Sequence, residues 1–182
     1  MIKIIAGKYK GRNIITPATD TTRPTKSMSR GGIFSSIGYK IVNSVVLDLF
    51  AGSGAYAIES LSRGAKFAYL SDNNVKSMDA VLGNMSKINE TNYLFQKVDY
   101  KEMLDYLNKT KTKIDITFLD PPYALDCYNE IIEFMLKNDI ITKDGVIVIE
   151  SNHDVLVNEK NSFDIKELKY GYSKVKILRR KL

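Results

Sequence analysis

The tetrapeptide Asp120-Pro121-Pro122-Tyr123 has the residue types and the rigidity to hold a small planar ligand. It follows a β-prone apolar run, and two successive prolines cannot continue a sheet, so the chain must turn sharply there with carbonyl groups left without local partners. The Asp120 carboxylate and the Pro121 carbonyl can accept both hydrogens of an aryl amine while Tyr123 stacks on its ring. The nitrogen lone pair would then point at an electrophile, which predicts catalysis by positioning and electrostatics. An ordinary Asp-Pro turn is the alternative.

Acids and glycines also follow three earlier β-prone runs. The segment 48–54, with the sequence Asp-Leu-Phe-Ala-Gly-Ser-Gly, lets the backbone approach a ligand at the start of a helix. Ala57 departs from the Gly-x-Gly-x-x-Gly dinucleotide fingerprint, and no Gly-Lys-Ser/Thr follows for a nucleotide P-loop. Asp72 stands about 20 residues further on, at the spacing of an acid that binds ribose hydroxyls. Asp99 could accept a hydrogen bond from an adenine amino group, although both acids could equally cap helices.

Positioning these residues at one edge of a sheet requires strands that alternate with helices, and the sequence has that order after residue 44. Apolar runs predict strands at 45–50, 67–71, 94–98, 114–119 and 145–150. Helices are predicted at 55–63, 74–89, 101–108 and 128–137, and an antiparallel hairpin at 163–168 and 174–180. The pattern predicts a doubly wound α/β fold with an antiparallel edge, whose ligands bind beyond the carboxyl ends of the strands.

The first forty residues are organised differently. β-Prone runs at 2–6 and 12–16 flank Gly7-Lys8-Tyr9-Lys10-Gly11, which predicts an N-terminal β-hairpin. Residues 17–28 form a polar connector with two prolines. A helix is predicted from 27 to 40, although Gly31 and Gly32 each weaken it by about 1 kcal/mol.

Composition places the chain among ordinary globular proteins of one domain. It has 182 residues, of which 44% are hydrophobic and 26% charged. With one cysteine, Cys127, and one histidine, His153, neither an internal disulfide nor a Cys/His zinc site can be assembled, and no metal is expected. Cys127 is expected to pack on a helix, whereas His153 and Glu59 are expected at the surface. No signal-peptide or membrane-spanning run appears, so a reducing cytoplasm is expected.

Charge is distributed unevenly along the chain, whose net charge is +6. Residues 1–40 carry eight Lys or Arg against one acid, Asp20, and residues 165–182 carry seven against Glu167, which leaves −7 for residues 41–164. A basic arm suits a polyanion held by phosphate contacts, whereas an acidic middle suits a cationic or neutral cofactor. The alternative is that the lysines merely solvate the two ends.

Together these motifs resemble the class I S-adenosylmethionine-dependent methyltransferases, in which a glycine loop, a ribose-binding acid and an Asp/Asn-Pro-Pro-Tyr/Phe motif recur in this order. More narrowly, the chain resembles the RsmD family of bacterial small-subunit ribosomal RNA guanine-N2 methyltransferases. The resemblance covers nearly the whole chain and rests on residues 4–12, Arg23-Pro24-Thr25 with Arg30, residues 48–55, 61–65 and 118–123, and Tyr170-Gly171.

The resemblance implies a Rossmann-like class I methyltransferase domain at residues 41–182, with a mostly parallel seven-stranded sheet, and a basic RNA-binding hairpin and helix at residues 1–40. It implies transfer of a methyl group from S-adenosylmethionine to the exocyclic N2 of one guanine in small-subunit ribosomal RNA, without metal and with S-adenosylhomocysteine as product. The RNA would be naked or within a partly or fully assembled subunit, and the protein a monomer.

The same resemblance assigns roles to individual residues. Catalysis is expected at Asp120, Pro121, Pro122 and Tyr123. Cofactor binding is expected at Asp48, Phe50, Gly52, Ser53, Gly54, Asp72, Asn73, Asp99, Tyr100 and Asp120. RNA binding is expected at Lys8, Lys10, Arg12, Arg23, Thr25 and Arg30.

One position departs from the family pattern, and the match of another to that pattern has an alternative. Family members commonly have a glutamate directly after the arginine matched by Arg30, whereas this chain has Gly31, so any salt bridge or cap made by that glutamate is missing. The match through the second strand has no gap. If it slips, Asn73 or Asn74 takes the place of Asp72 at the ribose.

Two other functions remain compatible with the sequence. An adenine-N6 methyltransferase acting on DNA or RNA would use Asp-Pro-Pro-Tyr equally well, although 182 residues leave no room for the target-recognition domain usual in DNA enzymes. A non-catalytic RNA-binding ribosome assembly factor would keep the fold, but intact Gly52, Gly54, Asp72 and Asp120 argue against it.

Overall fold

Seven strands form one mixed sheet in the computed structural model, which describes residues 2–17, 24–122 and 124–181, with the backbone alone at 24–26. Two shorter strands pair separately near the N-terminus. The strands are β1 (Ile2–Lys3), β2 (Asn13–Ile14), β3 (Val45–Asp48), β4 (Phe67–Ser71), β5 (Tyr93–Gln96), β6 (Ile114–Leu119), β7 (Ile141–Ser151), β8 (Phe163–Tyr170) and β9 (Ser173–Arg180). The α-helices are α1 (Pro24–Ile37), α2 (Ala55–Ser62), α3 (Val75–Lys87), α4 (Tyr100–Lys109) and α5 (Tyr128–Lys137).

The large sheet has the order β5-β4-β3-β6-β7-β9-β8. The first five of these strands run parallel to one another, and β9 is antiparallel to both of its neighbours, β7 and β8. The strand order reverses between β3 and β6, so the carboxyl ends of these two strands border the crevice in which open α/β sheets bind ligands. The predicted parallel sheet with an antiparallel edge hairpin is therefore confirmed.

Helices cover both faces of the sheet, and the strand sequences reflect it. In β7, Val146 and Val148 join the core with α1, α2 and α3, whereas Ile147 and Ile149 join the core with α4 and α5. Side chains of a strand alternate between faces, so a strand covered on both sides must be apolar at nearly every position. Such continuous runs predicted β4 and β6 with their observed bounds.

The N-terminal hairpin is held against the end of α2. Its strands β1 and β2 have two residues each, fewer than predicted. The Lys8 N–H donates to the Ser62 carbonyl at 2.8 Å, and the Ser62 hydroxyl donates to the Ala6 carbonyl at 2.6 Å. Gly7 has φ +83°, and a Cβ there would lie 1.8 Å from the Ser62 carbonyl oxygen, so glycine is required for this close approach.

The first helix begins earlier than the sequence predicted. α1 starts at Pro24 and continues as a 3-10 turn at Gly38–Ile41, whereas the prediction placed a connector up to residue 28 and a helix at 27–40. Proline suits the first turn of a helix, where its missing N–H breaks no hydrogen bond, so the prolines did not exclude an early start. β7 likewise begins at Ile141, before the predicted residue 145.

Two neighbouring glycines on α1 have different surroundings, which provides a matched pair of variants. A Cβ at Gly32 would lie 1.7 Å from the Tyr170 hydroxyl, whereas a Cβ at Gly31 would have Ile5 Cδ1 as its neighbour at an ordinary 3.8 Å. We expect Gly31→Ala to stabilise the protein by ~0.5–1 kcal/mol through helix propensity. Gly32→Ala should destabilise it by ~1–3 kcal/mol because the Tyr170 ring must move. Urea unfolding of both variants measures the difference, and equal stabilities would contradict this packing.

Candidate active site

A cavity of about 480 Å³ opens at the carboxyl ends of the parallel strands. Its walls come from the loops after β3, β4, β5 and β6, from the end of β7, and from residues of α1 and α2. Its volume is in the range of cavities that bind drug-sized ligands. The residues that line it are Ile2, Pro17, Arg30, Leu49, Phe50, Ala51, Gly52, Ser53, Ala55, Tyr56, Asp72, Asn73, Asn74, Ser77, Val98, Asp99, Tyr100, Asp120, Pro121, Pro122, Leu125 and Glu150.

The glycine loop after β3 brings backbone close to the cavity. Gly52 and Gly54 adopt φ +53° and +77°, which glycine reaches without strain. Gly52 and Ser53 line the cavity, whereas Gly54 is buried and a Cβ there would lie 3.3 Å from Val81. Gly54 was predicted to bind the cofactor, but the structure places it behind the cavity wall, where it allows α2 to start at Ala55 against α3.

The acids after β4 and β5 both line the cavity and both hold its wall in place. Asp72 accepts the Gly52 N–H through Oδ2 and the Asn74 N–H through Oδ1, each at 2.9 Å. Asp72 therefore fixes the glycine loop, and the residue that caps α3 is Asn74. Asp99 caps α4, because it accepts the Lys101 N–H at 2.9 Å. The helix-cap alternative is confirmed for Asp99 and wrong for Asp72.

Asp48 was predicted to contact the cofactor, but it is buried at the end of β3 and does not line the cavity. It is 2% exposed, and its Oδ2 has no hydrogen-bond partner among the described residues. Burial, together with the charges of Asp120 and Asp72, raises the pKa of Asp48 to about 7. The structure therefore places this carboxyl behind the cavity wall, close enough to Asp120 and Asp72 for their charges to interact, and its contact with a cofactor stays a prediction.

We expect Asp48→Asn to stabilise the protein more at pH 8 than at pH 5. The pKa of this carboxyl is raised in the folded state, so wild-type stability should fall as pH rises from about 4 to about 7. The difference between the folded and unfolded pKa values corresponds to a loss of ~4 kcal/mol in the free energy of unfolding over that interval. We expect Asp48→Asn to recover ~2 kcal/mol of it at pH 8, because the asparagine amide leaves one N–H without a partner. Urea unfolding at both pH values is the measurement. A gain that does not depend on pH would contradict the raised pKa.

The turn after β6 brings Asp120, Pro121 and Pro122 to the same cavity. Pro121 is buried and Pro122 is exposed. The turn is closed by the Leu125 N–H, which donates to the Pro122 carbonyl at 2.8 Å. Tyr123, the fourth residue of the motif, lies outside the described residues. The predicted acid and both prolines therefore reach the edge of the sheet where the glycine loop also lies.

Most of the predicted cofactor residues are brought together by the structure. Those that line the cavity are Phe50, Gly52, Ser53, Asp72, Asn73, Asp99, Tyr100 and Asp120. The rings of Phe50 and Tyr100 have centroids 5.6 Å apart, and they form an aromatic part of the wall near the end of β5. The structure shows that these residues share one cavity. That they bind the cofactor remains a prediction.

Tyr56 and Glu150 also line the cavity, and the sequence did not predict either. The Tyr56 hydroxyl donates to Glu150 Oε2. Burial and the negative charges of Glu150 and Asp120 hold the pKa of Tyr56 well above its ordinary range. Glu150 follows an apolar run in β7 as Asp120 follows one in β6, and this shared position is the signal that could have identified it.

The structure separates the residues that were predicted to bind RNA. Three of them are exposed around the turn of the N-terminal hairpin: Lys8, Lys10 and Arg12. Lys8 also pairs with Glu90, at 2.8 Å between Nζ and Oε2. Arg23 and the side chain of Thr25 lie outside the described part of the chain.

Arg30 and Glu59 are buried together, against expectation for both. Arg30 is 4% exposed, donates to the Lys3 carbonyl at 2.7 Å, and has its Nε 3.7 Å from Glu59 Oε2. Glu59 is 1% exposed and pairs with Arg63 at 2.8 Å, so its interpretation as a surface charge is wrong. Burial lowers the pKa of Arg30, and the charge of Glu59 opposes that shift. Arg30 lines the cavity and not the outer surface, and its role in RNA binding stays a prediction.

The sheet order and the site define the class of protein. The fold is the Rossmann-like fold of class I methyltransferases. It has five parallel strands, an antiparallel strand beside the last of them, and a glycine loop after β3. A solved structure titled "Putative methyltransferase yhhF from Escherichia coli" matches with a TM-score of 0.85 and 26% sequence identity. The match covers 99% of this chain and 98% of that chain.

The chain belongs to the family described as Conserved hypothetical protein 95, whose profile matches residues 2–179. The Ribosomal RNA small subunit methyltransferase D of Buchnera aphidicola subsp. Acyrthosiphon pisum is 35% identical over 82% of this chain and 77% of that protein. An uncharacterized methylase of Rickettsia prowazekii is 32% identical over 98% of both. The predicted membership of the RsmD family is therefore confirmed.

The described residues lack a membrane-spanning helix and a cluster of metal-ligating side chains. In the ranges 2–17, 24–122 and 124–181, no helix is long and apolar enough to span a membrane. The same ranges contain no group of three His, Cys, Asp or Glu side chains that could hold a metal ion. Cys127 is buried and His153 is exposed, as the sequence predicted.

Proposed function

We propose that this protein transfers a methyl group from S-adenosylmethionine to the exocyclic N2 of a guanine in small-subunit ribosomal RNA. The observation that carries the proposal is that the glycine loop and the Asp120-Pro121-Pro122 turn meet in one cavity. Relatives named ribosomal RNA small subunit methyltransferase D support the coarser activity, methylation of ribosomal RNA with S-adenosylmethionine. The guanine amine is the finer part of the proposal.

The residues of the cavity fit S-adenosylmethionine as the methyl donor. The backbone at Gly52 and Ser53 would lie along its methionine portion, since glycine leaves room for close approach. Asp72 is held in place by the Gly52 N–H, and a carboxylate has further lone pairs for ribose hydroxyls, with Asn73 beside it. Asp99 would accept the adenine amino group. The bound cofactor supplies an electrophilic methyl group on a sulfonium, and the acids around the cavity suit that positive charge.

Asp120 and the Pro121 carbonyl would position the accepting amine. Each accepts one N–H, so the nitrogen lone pair is directed at the methyl group. The C–N bond forms as the C–S bond breaks, and the nitrogen then releases one proton to solvent. The lone histidine, His153, is exposed and does not line the cavity, and this reaction requires no histidine base.

Residues 1–40 would act as an RNA-binding extension of a methyltransferase domain at residues 41–182. The exposed side chains of Lys8, Lys10 and Arg12 suit contacts to phosphates, which fix position without reading sequence. Ile2 and Pro17 line the cavity, so this extension reaches the site itself. A guanine within a helix would have to be flipped out to enter. We propose a monomer that acts on naked RNA or on a partly or fully assembled subunit.

The decisive experiment is a methyl-transfer assay with nucleoside analysis. Purified protein and methyl-labelled S-adenosylmethionine are incubated with small-subunit RNA, and separately with assembled subunits, from cells that lack this gene. Label in N2-methylguanosine is the expected result. Label in N6-methyladenosine would replace the proposal with the adenine alternative, for which the Asp-Pro-Pro turn is equally suited. Cofactor binding without label on any RNA would favour a non-catalytic role.

Asp72→Ala should weaken the binding of S-adenosylmethionine by roughly 10–100-fold, because the ribose loses its acceptor and the glycine loop loses its anchor. Isothermal titration calorimetry measures the dissociation constant directly. Asp79→Ala, which removes an exposed acid on α3, is the matched control and should leave it unchanged. An unchanged affinity of Asp72→Ala would move the ribose contact to another residue.

A further inference from the structure

One wall of the cavity carries polar groups that are not needed to hold an amine at Asp120. Leu119 of β6 pairs with Ile149 of β7, so Asp120 and Glu150 are the neighbouring residues at the next position of the two strands. Neighbouring strands lie about 4.8 Å apart. Both acids line the cavity, and Arg30 of α1 lines it too.

Glu150 is held by three hydroxyl groups from three different elements. Ser29 of α1 donates to Oε1 at 2.7 Å, Ser173 near the start of β9 donates to Oε1 at 2.5 Å, and Tyr56 of α2 donates to Oε2. The residue is 5% exposed. A carboxylate has about four acceptor positions, of which these hydroxyls occupy three. Oε2 therefore keeps an acceptor position.

Arg30 supplies donors on the same wall. One Nη donates to the Lys3 carbonyl, but the buried Nε has no hydrogen-bond partner among the described residues. Its 3.7 Å separation from Glu59 Oε2 is an ion-pair distance, too long for a hydrogen bond. A guanidinium has five N–H donors, so Arg30 can serve a ligand acceptor and keep its contacts with the protein.

We propose that Glu150 and Arg30 are the residues that select guanine, Glu150 by accepting its N1–H and Arg30 by donating to its O6. This inference rests on the proposed function and names the determinants of its base specificity. The amine, N1–H and O6 follow one another along one edge of guanine. A base whose amine is held at Asp120 therefore presents N1 to the neighbouring strand end, where Glu150 lies.

Adenine would be rejected by the same two groups. With its amine at Asp120, adenine presents N1 as an acceptor to the Glu150 carboxylate, and it has only a C–H where guanine has the next polar atom. Arg30 would then keep an unpartnered donor in a buried place. A site built to hydrogen-bond one partner discriminates strongly against an analogue that leaves those groups unpaired.

The alternative explanation is structural, because the three hydroxyls also tie α1, α2 and β9 to β7. If the network is only structural, the methylation rate should not depend on the polar groups along the edge of the base. A base analogue therefore distinguishes the two roles. 2-Aminopurine carries the same amine as guanine but lacks N1–H and O6. Two ligated RNAs can be compared that differ only at the methylated position, which is first located by mapping the label to a fragment of the RNA.

We expect wild-type protein to prefer guanine over 2-aminopurine by about 100-fold or more in kcat/KM. Glu150→Gln should reduce that ratio to about 10 or less. The two serine hydroxyls keep the amide oxygen at the Oε1 position, so the NH₂ group takes the Oε2 position, where it donates to N1 of 2-aminopurine and cannot accept N1–H of guanine. Glu133→Gln changes an exposed glutamate on α5 and should leave the wild-type ratio unchanged.

Each outcome separates the inference from the function on which it rests. Equal rates of the wild-type protein on the two bases would overturn the inference without any variant, while the methyl transfer itself would stand. An unchanged ratio in a Glu150→Gln protein that binds S-adenosylmethionine normally would also overturn it. Failure of the wild-type protein to methylate guanine N2 in any substrate RNA would overturn the proposed function first.

Discussion

Replacement of Asp120 by alanine is expected to lower the rate of methyl transfer by about 10³-fold. In the proposed function the carboxylate accepts one N–H of the amine, so without it the nitrogen lone pair would no longer be held in line with the methyl group. Asp120→Asn keeps an acceptor oxygen and should retain more activity than alanine. Single-turnover methylation of small-subunit RNA at saturating cofactor measures the chemical step directly.

Asp126→Ala is the matched control for this prediction. Asp126 is an exposed acid in the same loop, it does not line the cavity, and its loss should leave the rate unchanged. Calorimetry of Asp120→Ala with S-adenosylmethionine should show that the variant still binds the cofactor, because Asp72 and the glycine loop are untouched. An Asp120→Ala protein that retains more than about a tenth of wild-type activity would show that the amine is held elsewhere.

Most of the fold could be predicted from sequence because strands covered on both faces are continuous apolar runs. β4, β6 and α5 have the bounds that the patterns predicted. The start of α1 could not be predicted in the same way. Threonine and proline before residue 27 favour a connector by their local preferences, yet tertiary packing and the tolerance of a helix start for proline allow the helix to begin at Pro24.

The site could be predicted only where its chemistry is local in sequence. Glycine loops and Asp-Pro-Pro turns are short motifs at strand ends, and the structure brings both to one cavity. Glu150 depends on Ser29, which is 121 residues away along the chain. A single acid at the end of a strand gives no sign of such a partner. The surface position expected for Glu59 was wrong for the same reason, and the burial of Arg30 could not be predicted either, since both residues have contacts in the distant N-terminal segment.

Glu59 shows most clearly what long-range contacts add to this fold. Its Oε2 accepts the Ile5 N–H at 2.8 Å, and its Oε1 accepts the Ala6 N–H at 3.0 Å. Arg63 and Arg30 pair with the same carboxylate. The residues of α2 are nearly all apolar or small, which is typical of a buried helix and could have shown that Glu59 is not at the surface.

Glu59→Ala is therefore expected to lower the free energy of unfolding by about 3–5 kcal/mol. The substitution leaves two backbone N–H groups without their acceptor and the buried guanidinium of Arg30 without its ion-pair partner, and each such loss is costly. Urea unfolding gives the total, and hydrogen exchange should show lost protection at the Ile5 and Ala6 amides. Glu102→Ala, on the exposed side of α4, should change stability by less than about 1 kcal/mol. A Glu59→Ala protein as stable as this control would show that the N-terminal segment is held by its hairpin contacts with Ser62 and not by the buried carboxylate.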